Sequence, residues 1–219
     1  MDLLPEIRHW ASYDWVIAVL TFALVLLASL RVLYPKRFHE FSLLAITDKY
    51  FSLPASQYRL MDPFNAILLT FQVLVVAVFW MLYQNKVRPE PIEMDIWYFL
   101  QVISLLVLFL MGKFLIEQFI GWLFNIPGLI ERFLFEKLSY VGLLCILLFV
   151  FCWIILLADG PAWVLFVVGC VLVGAVYLIS LFSSFKRNWS LIFRHFFYFI
   201  LYLCALEIAP FILLYYMAV

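Results

Sequence analysis

Charge is scarce in this chain. Only 13% of its 219 residues are Asp, Glu, Lys or Arg, while 68% are apolar, against roughly a quarter charged and half apolar in a soluble domain. A soluble fold of this length needs polar residues to clothe its surface, so the scarcity excludes one, as does a mean hydropathy of +1.11. An excess of either sign is missing too. The 14 basic residues balance 14 acidic ones, and nothing argues for nucleic acid or an acidic substrate. The four cysteines, Cys145, Cys152, Cys170 and Cys204, all fall inside apolar runs without C-x-x-C or zinc-type spacing, and read as buried thiols. Of the histidines, His9 and His39 lie outside the apolar runs and His195 opens the last one. A bis-histidine membrane haem needs two at similar depth on facing helices. No P-loop, G-x-S-x-G elbow or H-E-x-x-H is present, and Ser104, Ser180 and Ser190 have no base at a motif spacing. The sequence therefore names no cofactor, metal ligand or catalytic residue, and the expectation is a non-enzyme.

What the chain does have is six apolar runs of membrane-spanning length, since about 20 residues at 1.5 Å each cross a bilayer core. They are Trp15 to Leu33, Phe64 to Tyr83, Ile96 to Phe119, Tyr140 to Leu157, Ala162 to Phe182 and His195 to Met217. None alternates like a barrel strand, and lipid obliges each to satisfy its backbone internally as a helix. The expected fold class is all-α, a polytopic membrane protein of about six spans in a single domain over residues 1–219. Helix breakers mark the connections: Pro35, Pro54 and Pro63, then Pro89 and Pro91, then Pro127 with Gly128, and Gly160 with Pro161. Asp2, Glu6, Arg8, His9 and Asp14 precede the first run. That is the wrong leader for a cleaved signal peptide, so a retained N-terminus is expected. Trp15, Trp80, Trp97, Trp122, Trp163 and Trp189 fall near the span ends, where indole favours the headgroup level.

Orientation follows from the cations. Six spans put Arg8, Lys86 and Arg88 on one side and the other 11 of the 14 Lys and Arg on the opposite side. By the positive-inside rule both termini are expected away from the cytoplasm, in the periplasm. Two segments on the basic side are amphipathic. In Arg37 to Tyr50, Phe38, Phe41, Leu44 and Ala45 share a helical face; in Leu129 to Leu138, Ile130, Phe133, Leu134 and Leu138 oppose Glu131, Arg132, Glu136 and Lys137. Each is either a helix lying in the interface or an extension of a neighbouring span.

Ionisable groups inside a bilayer are candidates for function. Glu207 is the deepest, 13 residues past Arg194 and so about 20 Å into a core of about 30 Å. Pro210 cannot donate to the carbonyl of Leu206, which leaves a free acceptor and a kink beside this carboxyl. Glu207 is either a proton or cation relay or a hydrogen-bonded packing group. Lys113 and Glu117 lie four apart on one face of the third span, spaced to pair. Lys113 lies about 26 Å along that helix, at the expected cytoplasmic interface. A sharper alternative turns it inward to neutralise Glu207.

The stretch Leu201-Tyr202-Leu203-Cys204-Ala205-Leu206-Glu207-Ile208-Ala209-Pro210, followed by Leu213-Leu214-Tyr215, resembles the signature end of an uncharacterised family of multi-pass inner-membrane proteins of Bacteroidota. Lys113 and Gly121-Trp122-Leu123-Phe124-Asn125 are similar to that family's lysine and glycine-aromatic pattern before a cytoplasmic turn. The fourth span, beginning Tyr140-Val141-Gly142-Leu143-Leu144-Cys145, departs from it by lacking a later proline. The resemblance implies a Gram-negative inner membrane and directs attention to Glu207, Cys204, Pro210 and Lys113. It implies no activity. The expected function is a non-enzymatic scaffold or subunit of a larger envelope complex, such as one for secretion or surface motility, in contact with membrane lipids and other membrane subunits. The alternatives are a small proton-coupled transporter or channel subunit using Glu207, and an enzyme acting on lipid.

Overall fold

The computed structural model describes residues 14–43, 62–86, 95–123, 127–157, 163–171 and 174. All of them belong to one compact unit, Met1–Val176; a second unit, Tyr177–Val219, lies outside the described residues. Every element among the described residues is helical. In chain order they are α1 (Asp14–Leu33), α2 (Pro35–Ser42), α3 (Pro63–Lys86), α4 (Ile96–Leu123) and α5 (Pro127–Leu157), with residues 163–171 also helical. Four are long and apolar enough to cross a membrane: α1, α3, α4 and the Leu134–Leu157 part of α5. They correspond to the first four expected spans. Residues 163–171 belong to the fifth expected span, and the sixth lies outside the described residues.

The prolines do more than interrupt. Pro35, Pro63 and Pro127 each occupy the first position of a helix, where the missing N–H costs nothing and the fixed φ is already helical. Tyr34, before Pro35, leaves the helical region at φ −130° and ψ 57°, as the residue preceding a proline tends to. That break turns the chain out of α1 into α2. Within the long helices the hydroxyls bond back to the preceding turn: Thr21 to the Ile17 carbonyl at 2.8 Å, Thr70 to Ala66 at 2.9 Å and Ser139 to Phe135 at 2.9 Å. This satisfies them without water, as lipid requires.

The long helices run alternately up and down. Trp15 at the start of α1 stacks on Phe99 at the start of α4, with ring centroids 5.0 Å apart. Leu30 near the end of α1 joins Phe64 at the start of α3 and Phe135 in the first third of α5. α3 is the central helix, packed against α1, α4 and α5. Its Phe71, Val75 and Val78 form the main core with Leu20 and Ala23 of α1 and Leu148, Phe149 and Cys152 of α5.

The two amphipathic segments differ. Leu129 to Leu138 is an extension: α5 continues without a break for 31 residues from Pro127 to Leu157, about 46 Å. The other segment yields α2, a separate helix of 8 residues, and its residues beyond 43 lie outside the described ones. Phe41 of α2 is completely buried, inserted between Leu30, Phe64, Leu68 and Phe135, so the helix spends its apolar face on the bundle.

Candidate functional site

The polar groups that these helices bury gather mostly at one end, the end where α1 finishes, α3 and α5 begin and α4 finishes. Asn65, Glu117, Glu136 and Ser139 are each at most 2% exposed, and Gln72 is buried two turns beyond Asn65 on α3. Burying such groups is costly unless they are partnered, so their placement is informative.

Glu117 faces inward from the last third of α4. Its Oε1 lies 3.9 Å from Nζ of Lys137 on α5, whose side chain is 18% exposed. At that separation the pair is a Coulombic contact beyond hydrogen-bond length, strengthened by its low-dielectric surroundings. Lys113, half-buried, sits one turn earlier on the same side of α4. The spacing predicts a Lys113–Glu117 pair; the structure brings a third residue, Lys137, to the carboxylate from another helix. Glu117 is about 7.5 Å along the axis from the exposed Trp122, which places the pair within the apolar length of α4 and close to its end.

Gln72 of α3 supplies a second cross-link. Its Nε2 donates to the carbonyl of Leu138 at 3.0 Å, a carbonyl that also serves the helical ladder of α5. The amide can reach that carbonyl because residue 142, one turn on, is glycine. A Cβ there would lie 3.0 Å from Gln72 Nε2 and 3.0 Å from Leu68 Cδ2. Close helix approach and a side-chain-to-backbone bond are therefore one feature.

A third contact holds α2. Arg37 donates from Nη1 to Asp62 Oδ2 at 2.7 Å, with both side chains only partly exposed. Its guanidinium lies 5.1 Å from the centroid of the Phe64 ring, a cation–π arrangement. Phe41 packs on the same ring at 6.2 Å, edge to face, and Tyr34 at 5.9 Å. Asn65 and Glu136 follow Phe64 and Phe135 in sequence, so the buried polar residues and the aromatic cluster that α2 closes occupy the same turns of α3 and α5.

Of the residues singled out from sequence, Lys113 and Glu117 are thus placed at this end of the bundle. Glu207, Pro210 and Cys204 lie outside the described residues. Glu136, Asn65, Gln72 and the partnership of Lys137 went unread. The signal for Glu136 and Lys137 is in the sequence: nothing between Gly128 and Tyr140 breaks a helix, so the fourth span extends back to include them. Among the described residues no group of three or more His, Cys, Asp or Glu stands close enough to hold a metal ion. The arrangement ties helices together and keeps two carboxylates in dry surroundings.

One family model covers residues 16–218, nearly the whole chain. The chain belongs to the family described as Domain of unknown function (DUF4271). No curated protein and no solved structure matches it significantly. The family assignment agrees with the expectation of an uncharacterised family over most of the chain, and it brings no activity with it.

Proposed function

We propose that this DUF4271 protein is a non-enzymatic scaffold or subunit of a larger cell-envelope complex, held in the inner membrane of a Gram-negative cell with both termini periplasmic. The observation that carries this reading is α4. It is long and apolar enough to span, yet only 6% of its span window is buried, so it offers nearly a full helix length to lipid or to a partner helix. The polar contacts support the same reading, because Glu117–Lys137, Gln72–Leu138 and Arg37–Asp62 each fasten one element to another, as a fixed framework needs. The 11-to-3 division of Lys and Arg supports the orientation. Membrane lipids and other membrane subunits are the proposed partners, in a process such as secretion or surface motility.

A second reading, a small proton-coupled transporter or channel subunit working through Glu207, gains from the burial of Glu117 and Glu136, since intramembrane carboxylates often carry protons. Extraction in mild detergent at native expression, followed by size-exclusion chromatography and mass spectrometry, separates the two. A stoichiometric partner supports the subunit. A chain that runs alone removes that support, and proton flux in reconstituted vesicles, lost in Glu207→Gln, would then establish the transporter.

A further inference from the structure

The corner between α1 and α2 carries cations that the bundle does not use. Trp15 opens α1 at headgroup level, and Arg31 stands 16 residues further on, about 24 Å along the axis. The hydrocarbon core is about 30 Å thick, so the backbone of Arg31 lies roughly one turn short of the far boundary. The next two residues, Val32 and Leu33, are 78% and 62% exposed, and Arg31 is exposed beside them. A guanidinium among acyl chains needs an anion, and its long stem lets it reach up toward the headgroups.

The chain then breaks at Tyr34 and enters α2, whose Lys36 and His39 are both exposed. Three apart on a helix, they are neighbours with Cβ atoms about 5–6 Å apart. Arg37 is taken up by Asp62 and the Phe64 ring, and Phe41 holds the other side of α2 in the bundle, so the outward face of the helix is fixed. The side chains of Arg31, Lys36 and His39 make no ion pair among the described residues. Glu40, four residues after Lys36, shares that face, half-buried and likewise without an ion pair there. Two permanent cations therefore stand against one carboxylate. The anion that completes this corner has to sit at the hydrocarbon boundary, next to exposed aliphatic side chains. A phosphate carried on acyl chains meets both conditions, whereas a soluble anion or an acidic peptide meets only the charge. A zwitterionic headgroup brings its own ammonium and offers no net charge.

We infer that the α1–α2 corner is a binding site for an anionic phospholipid. Arg31 takes the phosphate at the hydrocarbon boundary through its planar fork, Val32 and Leu33 lie along the acyl chains, and Lys36 and His39 meet the headgroup from α2. Basic residues immediately beyond a membrane helix act in this way on anionic lipids. The inference deepens the proposed contact with membrane lipids by naming the lipid class and the residues, and it rests on that reading for placing the chain in a bilayer.

The test titrates the purified full chain, freed of lipid in mild detergent, with phosphatidylglycerol and counts bound lipid by native mass spectrometry. Phosphatidylethanolamine and glycerol 3-phosphate are titrated in parallel. The expected result is saturable binding of phosphatidylglycerol, at least about tenfold tighter than of either comparison. Arg31→Gln should weaken it about fivefold and Arg31→Gln with Lys36→Gln about thirtyfold. Glu40→Gln should tighten it about fivefold, an opposite sign that damage to the fold would not produce, so the test remains decisive if the double variant folds poorly. Arg8→Gln with Arg88→Gln removes the same charge from the side expected to be opposite, and should leave the affinity unchanged. Equal binding of phosphatidylethanolamine, glycerol 3-phosphate bound as tightly as the lipid, an equal loss in the Arg8 and Arg88 variant, or weaker binding in Glu40→Gln would each overturn the site. Phospholipid of every kind retained without preference would overturn it while leaving lipid contact standing. Protein partners found with the chain decide the subunit reading separately.

Discussion

Half of the span window of α3 is buried inside the bundle, against 6% of that of α4, although the two helices are equally apolar. Apolar content therefore decides that each is a membrane-length helix and says nothing about what it faces, because lipid tails and a protein core accept the same side chains. What separates the helices is the placement of their few polar and small groups. α3 turns Asn65 and Gln72 inward and meets α5 where Gly142 lets the backbones approach. α4 turns Glu117 inward, exposes Gln101, Ser104 and Gln118, and has open space around Gly112. The fold is set by hydropathy, and the neighbours of each helix by its exceptions to hydropathy.

The contrast is broken most severely by attacking the buried Glu117–Lys137 contact that fastens α4 to α5. Lys137→Met removes the ammonium that stands 3.9 Å from the Glu117 carboxylate, a loss of up to about 3 kcal/mol for a buried pair. Adding Glu117→Leu should recover most of that loss, because the carboxylate that faced Lys137 is then gone as well. Thermal unfolding of the purified protein in detergent, over the two single variants and the double, measures the coupling. A double variant whose loss equals the sum of the two single losses would mean that the 3.9 Å contact contributes nothing.

Gly142→Leu comes next. Its side chain would enter the space held by Leu68 and the Gln72 amide, forcing α3 and α5 apart and breaking the bond to the Leu138 carbonyl. Overpacking of this kind costs about 1–3 kcal/mol. Gln72→Leu alone, which removes the bond and keeps the volume, should cost only about 1 kcal/mol. Melting temperatures that fall equally for both variants would show that the hydrogen bond, rather than the close approach, is the contribution that matters.

Much of this fold is legible from composition. The expected spans Trp15 to Leu33, Phe64 to Tyr83 and Ile96 to Phe119 lie within α1, α3 and α4, because a run of some 20 apolar residues has no other way to satisfy its backbone in lipid. The fourth begins 13 residues earlier than its apolar run, at Pro127 rather than Tyr140, since a helix does not stop where charges start. Of the two readings that the sequence leaves open for Leu129 to Leu138, the extension of a span is the one that holds, so Glu136 and Lys137 are helix-interior positions, with Lys137 facing Glu117 of α4. The Glu117–Lys137 contact was illegible for a different reason: 20 residues and a turn separate the partners, and helical spacing exposes only pairs three or four apart, such as Lys113 and Glu117.

A smaller effect is expected at α2. Arg37→Ala removes the 2.7 Å ion pair with Asp62 and the guanidinium from the Phe64 ring. The pair is partly exposed, so the loss should be about 1 kcal/mol, and the ionic part should shrink as salt is raised. Phe41→Ala, on the same short helix, should cost about 3 kcal/mol because it empties a fully buried aromatic site. Limited proteolysis between α2 and α3 reads both variants, and the order Phe41 above Arg37 follows if α2 is held by packing with the ion pair as a guide.

The smallest effect sharpens the comparison from the other side. A Cβ added at Gly112 meets nothing within 4 Å, whereas at Gly142 it collides with two side chains. Gly112→Ala removes a flexible residue from the middle of an apolar helix, a change that favours the helix by up to about 1 kcal/mol. The melting temperature should therefore stay level or rise slightly, while Gly142→Ala lowers it unless Leu68 gives way. The same substitution in two glycines of the same membrane thus reads out which helix surface is already occupied by protein. A fall at Gly112 as large as that at Gly142 would mean that the outer surface of α4 is tightly covered in the purified particle.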